Sequence, residues 1–239
     1  MAVTQVDAGI VQRLGAVQAR IRAACQAAGR SPDEVTLLPV SKTHPFAAVQ
    51  AVVDAGGPTV FGENRPQELA AKAAQCADGS PIRFALIGHL QTNKAPLAAQ
   101  HAAAFHALDS ARLAEALDRR LQGMGRGLDV LIEVNTSGEE AKHGLAPEEV
   151  PAFAAGLAPM DALRVRGLMT VAVHSPDEAA VAACFDRLVA LQHRLRDDGV
   201  LGADWAQLSM GMSGDFELAI AHGATIVRVG TAIFGARQQ

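Results

Sequence analysis

The feature that most restricts the fold is an alternation repeated along the whole chain. Short apolar runs are separated by longer amphipathic stretches: VTLLPVS (35–41), TVFGEN (59–64), RFALIGHL (83–90), FHALDS (105–110), DVLIEVNTS (129–137), RVRGLMTVA (164–172), WAQLSMGM (205–212) and TIVRVGTAIFG (225–235). Near-continuous apolarity within such runs is what parallel strands covered on both faces require. The stretches between them change to helical spacing. Ile10, Leu14, Val17, Ile21 and Cys25 predict a helix before the first strand, ending near Gly29. Val181, Phe185, Leu188, Leu191 and Leu195 predict another, opened by Ser175-Pro176-Asp177-Glu178 in the form of a capping box. Ser110 and Ser213 stand where two further helices need N-caps. No linker, charge block or low-complexity tract interrupts the 239 residues, and a closed barrel typically uses ~250 residues as one unit. The expectation is an α/β fold: a single (β/α)8 TIM-type barrel domain over residues 1–239 with an additional N-terminal helix. An open doubly wound sheet fits eight alternations in an undivided chain less well.

Composition narrows the function classes. A net charge of −4 and a pI of about 6.0 leave no electrostatic footprint for nucleic acid or an anionic membrane. No run approaches the ~18 consecutive apolar residues of a membrane span. The N-terminus lacks a basic region followed by an apolar block, which argues against a secretory signal. Cys25, Cys76 and Cys184 lie far apart and form no CxxC, so they read as thiols of a reducing compartment, the cytoplasm by default. The histidines form no HExxH and no cluster of ligand spacing, so no metal is expected. GMSGD does not match the GxSxG of a serine hydrolase.

In a barrel the chemistry gathers at the carboxyl ends of the strands. The last two strand ends, LSMGMSGD and Arg228-Val229-Gly230-Thr231, offer glycines, hydroxyls and a helix start near Ser213, the ingredients of a phosphate cradle. A plain turn of small residues has the same composition, and Asp215 and Glu217 would have to point away from a bound phosphate. Lys42, one of only four lysines against seventeen arginines, closes the first run. A desolvated lysine there is a carbonyl nucleophile; an exposed one is a surface or ion-pairing residue. An amine for an aldehyde together with a cradle for a phosphate describes pyridoxal 5′-phosphate, or the phosphosugar of a Schiff-base aldolase. Arg228 favours the first if it faces the pyridine nitrogen, which a permanent cation keeps unprotonated; it could instead pair with a carboxylate. His89 is a candidate accessory hydrogen bonder, and Lys142 lies in a polar loop that reads as a lid or as solvated surface.

The strings LLPVSKTHP, FGENRPQE, FALIGHLQTNK, LIEVNTSGEEAKHG, VRGLMTV, LSMGMSGDFELAI and VRVGTAIFGAR, in this order, resemble the pyridoxal-phosphate homeostasis protein family. The resemblance runs from about residue 35 to 237. It implies a type III cofactor barrel similar to the N-terminal domain of alanine racemase, with Lys42 as the Schiff-base lysine. It places Ser209, Met210, Ser213, Gly230 and Thr231 at the phosphate, Arg228 at the pyridine nitrogen, and Asn64 and Met169 along the ring. Lys142 corresponds to a loop lysine associated with cofactor contact or exchange. One departure is Arg65-Pro66 where many relatives carry Tyr-Val, which removes an aromatic next to Asn64.

The implied function is holding pyridoxal phosphate and delivering it to apo-enzymes, without robust turnover. The competing reading is a weak racemase or related enzyme using Lys42 as its sole base. Two-base racemisation of the alanine type needs a tyrosine and a second domain; the chain contains no tyrosine and leaves no residues for such a domain. Without that dimer-completing element, a monomer is expected.

Overall fold

The computed structural model describes residues 5–200 and 205–236. Helix α1 (Gln5–Ala27) precedes β1 (Thr36–Pro39), α2 (Phe46–Asp54), β2 (Val60–Glu63) and α3 (Pro66–Ala73). There follow β3 (Arg83–Leu86), α4 (Ala95–His101), β4 (Ala104–Leu108), α5 (Ala111–Gln122), β5 (Leu128–Glu133) and α6 (Val150–Leu157). The chain then runs through β6 (Leu163–Met169), α7 (Glu178–Asp197), β7 (Gln207–Ser209), α8 (Phe216–Ala221), β8 (Ile226–Val229) and α9 (Thr231–Phe234). All strand pairs are parallel, in the order β1-β8-β7-β6-β5-β4-β3-β2, and a bridge between Val40 and Gly62 joins β1 to β2. This is an α/β barrel of eight parallel strands with an added N-terminal helix. Each apolar run of the sequence contains one strand.

Burial explains why. Strands β1, β2 and β3 each expose only their first residue, and β8 is buried throughout. Ile10, Leu14, Val17, Ile21 and Cys25 all face the core from α1, and Val181, Phe185, Leu188, Leu191 and Leu195 do so from α7. Gly29 takes a left-handed φ of 67° just after α1, the conformation that a helix stop favours. On β6, Gly167 sits at a shift of register with β5, and a Cβ there would stand 1.9 Å from the Gln207 carbonyl oxygen. The bulge lets β6 approach β7 and sets Met169 between Glu133 and Ser209 at the mouth.

Three local expectations need correction. Helix α7 is capped by Asp177, whose carboxylate accepts from the Ala179 amide at 3.0 Å, while Ser175 only accepts from Asp177. Asp is as good a cap as Ser, and it lies nearer the first apolar position. Helix α8 starts after Asp215 rather than at Ser213, whose hydroxyl is taken by amides of another loop. Strand β1 stops at Pro39, so Lys42 stands in a turn beyond the strand. Ser110 caps α5 as expected, accepting from Leu113 at 3.4 Å.

Candidate cofactor site

The lysine side of the mouth is the β1–β2 seam. Beyond the Val40–Gly62 bridge, the Ser41 amide donates to the Gly62 carbonyl at 3.1 Å, and buried side chains add to the backbone. Lys72, reaching in from α3, donates to the Ser41 carbonyl at 2.7 Å, to Glu63 Oε1 at 2.6 Å and to Glu68 Oε1 at 3.0 Å. The Ser41 hydroxyl donates to the same Glu63 oxygen at 2.6 Å. Burial raises the Glu63 carboxyl above its ordinary range, opposed by the bonds from Lys72 and Ser41. Next to Lys42, Thr43 adopts φ 66°, and its amide donates to Glu68. A β-branched residue seldom takes that conformation, so Glu68 helps to hold the turn that presents the half-buried Lys42. His44 stacks on Phe234 of α9 with ring centroids 5.2 Å apart. Sequence reasoning missed Lys72, because a Glu68–Lys72 pair at i, i+4 looks like solvated helix surface.

On β8, which pairs with β1, Arg228 is 4% exposed and donates to the Ser209 hydroxyl at 2.8 Å and to the Thr170 carbonyl at 2.8 Å. His106 Nδ1 lies 3.2 Å from the same Ser209 oxygen. Burial, and then the Arg228 charge, push the His106 imidazole down to about 3, so it is neutral at pH 7. Burial lowers Arg228 itself to about 10, leaving it charged. Glu133, at the end of β5, is raised to about 7 by burial and by Asp109, against the pull of Arg228. Its Oε2 is buried without a hydrogen-bond partner. His106 and Glu133 were also missed, since within an apolar run each reads only as part of a strand.

The phosphate candidates gather where the loops after β7 and β8 meet. The Ser213 hydroxyl accepts from the Gly230 amide at 3.2 Å and the Ala232 amide at 3.4 Å. Gly211 has φ 91°, and a Cβ there would meet Ala219 at 2.6 Å; Gly214 has open space at that position. The acids that threatened this loop are engaged elsewhere. Glu217 pairs with Arg20 of α1 at 2.6 Å, and Asp215 accepts from the Met212 amide. Thr231 is exposed at the start of α9, and Met210 is fully buried, its amide bound to the Ile226 carbonyl. Ser209 differs from the rest of the group, because its hydroxyl is occupied in holding Arg228.

The chain leading to Lys42 runs beside the Gly230 loop. Val40 donates to the Val229 carbonyl at 2.9 Å, and a Cβ on Gly230 would lie 3.2 Å from the Val40 carbonyl oxygen. Asn64 follows β2, where Gly88 packs so tightly that a Cβ would stand 2.6 Å from the Asn64 carbonyl. Met169 is buried at the end of β6. Pro66 takes the first helical position of α3, after Arg65 as an exposed N-cap. Lys142 folds back from the loop after β5 to the Ala172 carbonyl at 3.0 Å and to Glu139 at 2.5 Å. His89 stacks on His143. No helix among the described residues is long and apolar enough to cross a membrane.

Residues 12–238 match the family described as "Alanine racemase, N-terminal domain". A pyridoxal phosphate homeostasis protein of Pseudomonas aeruginosa is 45% identical over 228 residues, covering 95% of this chain and 96% of that one. One from Escherichia coli is 40% identical over 232 residues, covering 95% and 97%. Among solved structures, PipY of Synechococcus elongatus with PLP bound superposes with a TM-score of 0.82 at 35% identity, over 95% of this chain and 100% of that one. An alanine racemase of Clostridium difficile gives a TM-score of 0.75 at 14% identity, over 97% of this chain and 57% of its own, a likeness of fold alone.

Proposed function

Because the chain belongs to the pyridoxal phosphate homeostasis protein family, we propose that it binds pyridoxal 5′-phosphate at this mouth. In this reading it holds the cofactor for delivery to apo-enzymes, as a single-domain monomer. The observation that carries the reading is the contact between the lysine strand and the Gly230 loop. The amine lies two residues beyond Val40, and Val40 touches the backbone of Gly230. Lys42 would be the amine offered to the cofactor's aldehyde, and Ser213, Gly230 and Thr231 would hold its phosphate. The group fits this mouth: Gly214 leaves room, and the loop's nearby carboxylates are already engaged.

Arg228 is the charged group for the pyridine nitrogen. It cannot accept a hydrogen bond, so it keeps that nitrogen unprotonated. When bound, the cofactor supplies an aldehyde and a weak electron sink, which suits holding better than carbanion chemistry. Neutral His106 and the hydroxyl of Ser209 keep the guanidinium in place. Asn64 and Met169 line the ring, and Lys142 and His89 stand at the rim.

The test is spectroscopic. The purified protein should absorb in the visible, bleach with borohydride and carry the reduced adduct on Lys42, and Lys42→Ala should be colourless. A colourless wild-type protein after incubation with the cofactor sinks the proposal. Incubation with amino acids in deuterium oxide separates holding from catalysis: α-proton exchange at the rate of working enzymes would replace the carrier by a racemase-like enzyme. Transfer to an apo-enzyme faster than spontaneous release would support delivery.

A further inference from the structure

Opposite the Gly230 loop, three loops bring together donors to which the cofactor reading gives no more than an accessory place at the rim, His89 alone among them. His89 follows β3, Asp109 follows β4, and His143 lies in the loop after β5. One donor atom from each lies within 4.8 Å of the others. The imidazoles of His89 and His143 are stacked with centroids 4.1 Å apart and planes 8° from parallel. His89 Nδ1 stands 3.6 Å from Asp109 Oδ2, too far for a hydrogen bond.

A second observation points to a ligand. Asp109 has a side chain only 12% exposed, and its Oδ1 is buried with no hydrogen-bond partner. A buried carboxylate oxygen is ordinarily satisfied by a donor or a cation. Two imidazoles and one carboxylate form the donor set of zinc and its neighbours, too nitrogen-rich for calcium or magnesium. Zinc bonds of roughly 2.0–2.2 Å place tetrahedral donors about 3.4 Å apart. Closing from 4.8 Å asks for donor movements on the order of an ångström and for the stacked rings to turn out of parallel, so that both in-plane lone pairs converge on one ion; both histidines are exposed, which leaves them room to turn.

We propose that His89, Asp109 and His143 bind a divalent transition metal of the zinc class, and that the metal fastens the loop after β5 to the β3–β4 rim of the mouth. The loop is built to be fastened at its tip. Its base is already closed by the Val134–Leu145 bridge, and Asn135 organises the near turn by accepting from the Ser137 hydroxyl and the Gly138 amide. The tip carries Lys142 and His143 side by side. Lys142 is held by the Ala172 carbonyl after β6, and the metal would hold His143 to the opposite side. With three protein ligands, one position of a tetrahedral ion stays open to solvent or to a ligand in the mouth. The sequence offers no spacing for such a site, because its members lie on three separate loops.

The test uses the full chain without a polyhistidine tag, stripped of metal by chelator and titrated calorimetrically with zinc chloride. One saturable equivalent is expected, with affinity reduced about tenfold or more in His143→Ala and in Asp109→Asn and retained in Lys42→Ala. Retention in Lys42→Ala keeps the metal proposal separable from the cofactor reading. In parallel, trypsin cleavage after Lys142 should slow when zinc is added to the wild type and not when it is added to His143→Ala. No saturable binding, or binding that His143→Ala leaves unchanged, overturns the site. Binding without protection at Lys142 overturns the fastening.

Discussion

The barrel buries two cations at its mouth and treats them in opposite ways. Lys72, at the β1–β2 seam, is surrounded by anionic and carbonyl oxygens from Glu63, Glu68 and Ser41. Arg228, on β8, has its described hydrogen bonds with a hydroxyl and a carbonyl, both neutral. The first charge is spent inside the protein as a cross-strand tie where backbone pairing is thin. The second is fixed in direction by neutral groups. The two cations thus differ in contact: carboxylates bond Lys72 directly, whereas Asp215 and Glu133 act on the Arg228 charge without hydrogen-bonding it.

This contrast can be broken most decisively at Lys72. Lys72→Met strands the buried Glu63 and leaves the half-buried Glu68 without its cation, and urea unfolding should show a loss of about 3–5 kcal/mol. Adding Glu63→Gln should restore part of that loss. Arg228→Gln should cost less, roughly 1–3 kcal/mol, since it leaves one hydroxyl and one carbonyl to find other partners, while cofactor retention on gel filtration falls sharply. Should Arg228→Gln destabilise the fold more than Lys72→Met, the distinction between tie and ligand group fails.

The Arg228 side also carries a sharper signature in pH. Buried His106 binds its proton less readily than in the unfolded chain, so between pH 3 and 6.5 it makes stability rise with pH. Glu133 holds its proton more readily, so between pH 4.5 and 7 it makes stability fall as pH rises. From pH 4.5 to 6.5 the two oppose each other. Relative to the wild type, Glu133→Gln should tilt the stability profile upward with pH by about 1.4 kcal/mol per pH unit, and His106→Gln should tilt it downward by about as much. Chemical unfolding at several pH values reads both slopes, and equal slopes in the two variants would refute the assignment. The smallest effect is expected from Ser213→Ala, about 0.5–1.5 kcal/mol for the hydroxyl that gathers the Gly230 and Ala232 amides. Its influence on cofactor affinity should exceed its influence on thermal stability.

How much of this could be read beforehand follows from the kind of contact involved. The eight strands were legible because parallel strands buried on both faces must be apolar almost throughout. Lys42 and Arg228 stood out as candidates because both fall at or near strand ends, where barrel chemistry collects. Ser213 was placed in the right loop with the wrong partner: a cap is a local guess, whereas its acceptance from Gly230 spans 17 residues. Lys72 could not be found, because its burial depends on Ser41, which lies 31 residues away. The pairing of His89 with His143 was equally hidden, since it joins the ends of two different strands through their loops.

The β1–β8 junction has a consequence for assembly. β1 comes early in the chain and β8 far later, yet the two pair in parallel, and Val40 runs beside Gly230. Around them, α1 is stitched to the final elements by Arg13 on the Ile233 carbonyl and Arg20 on Glu217. A nascent chain that has not yet produced β8 leaves the β1 edge without this partner strand. If the cofactor binds as proposed, its two anchors would come together only when β8 closes on β1.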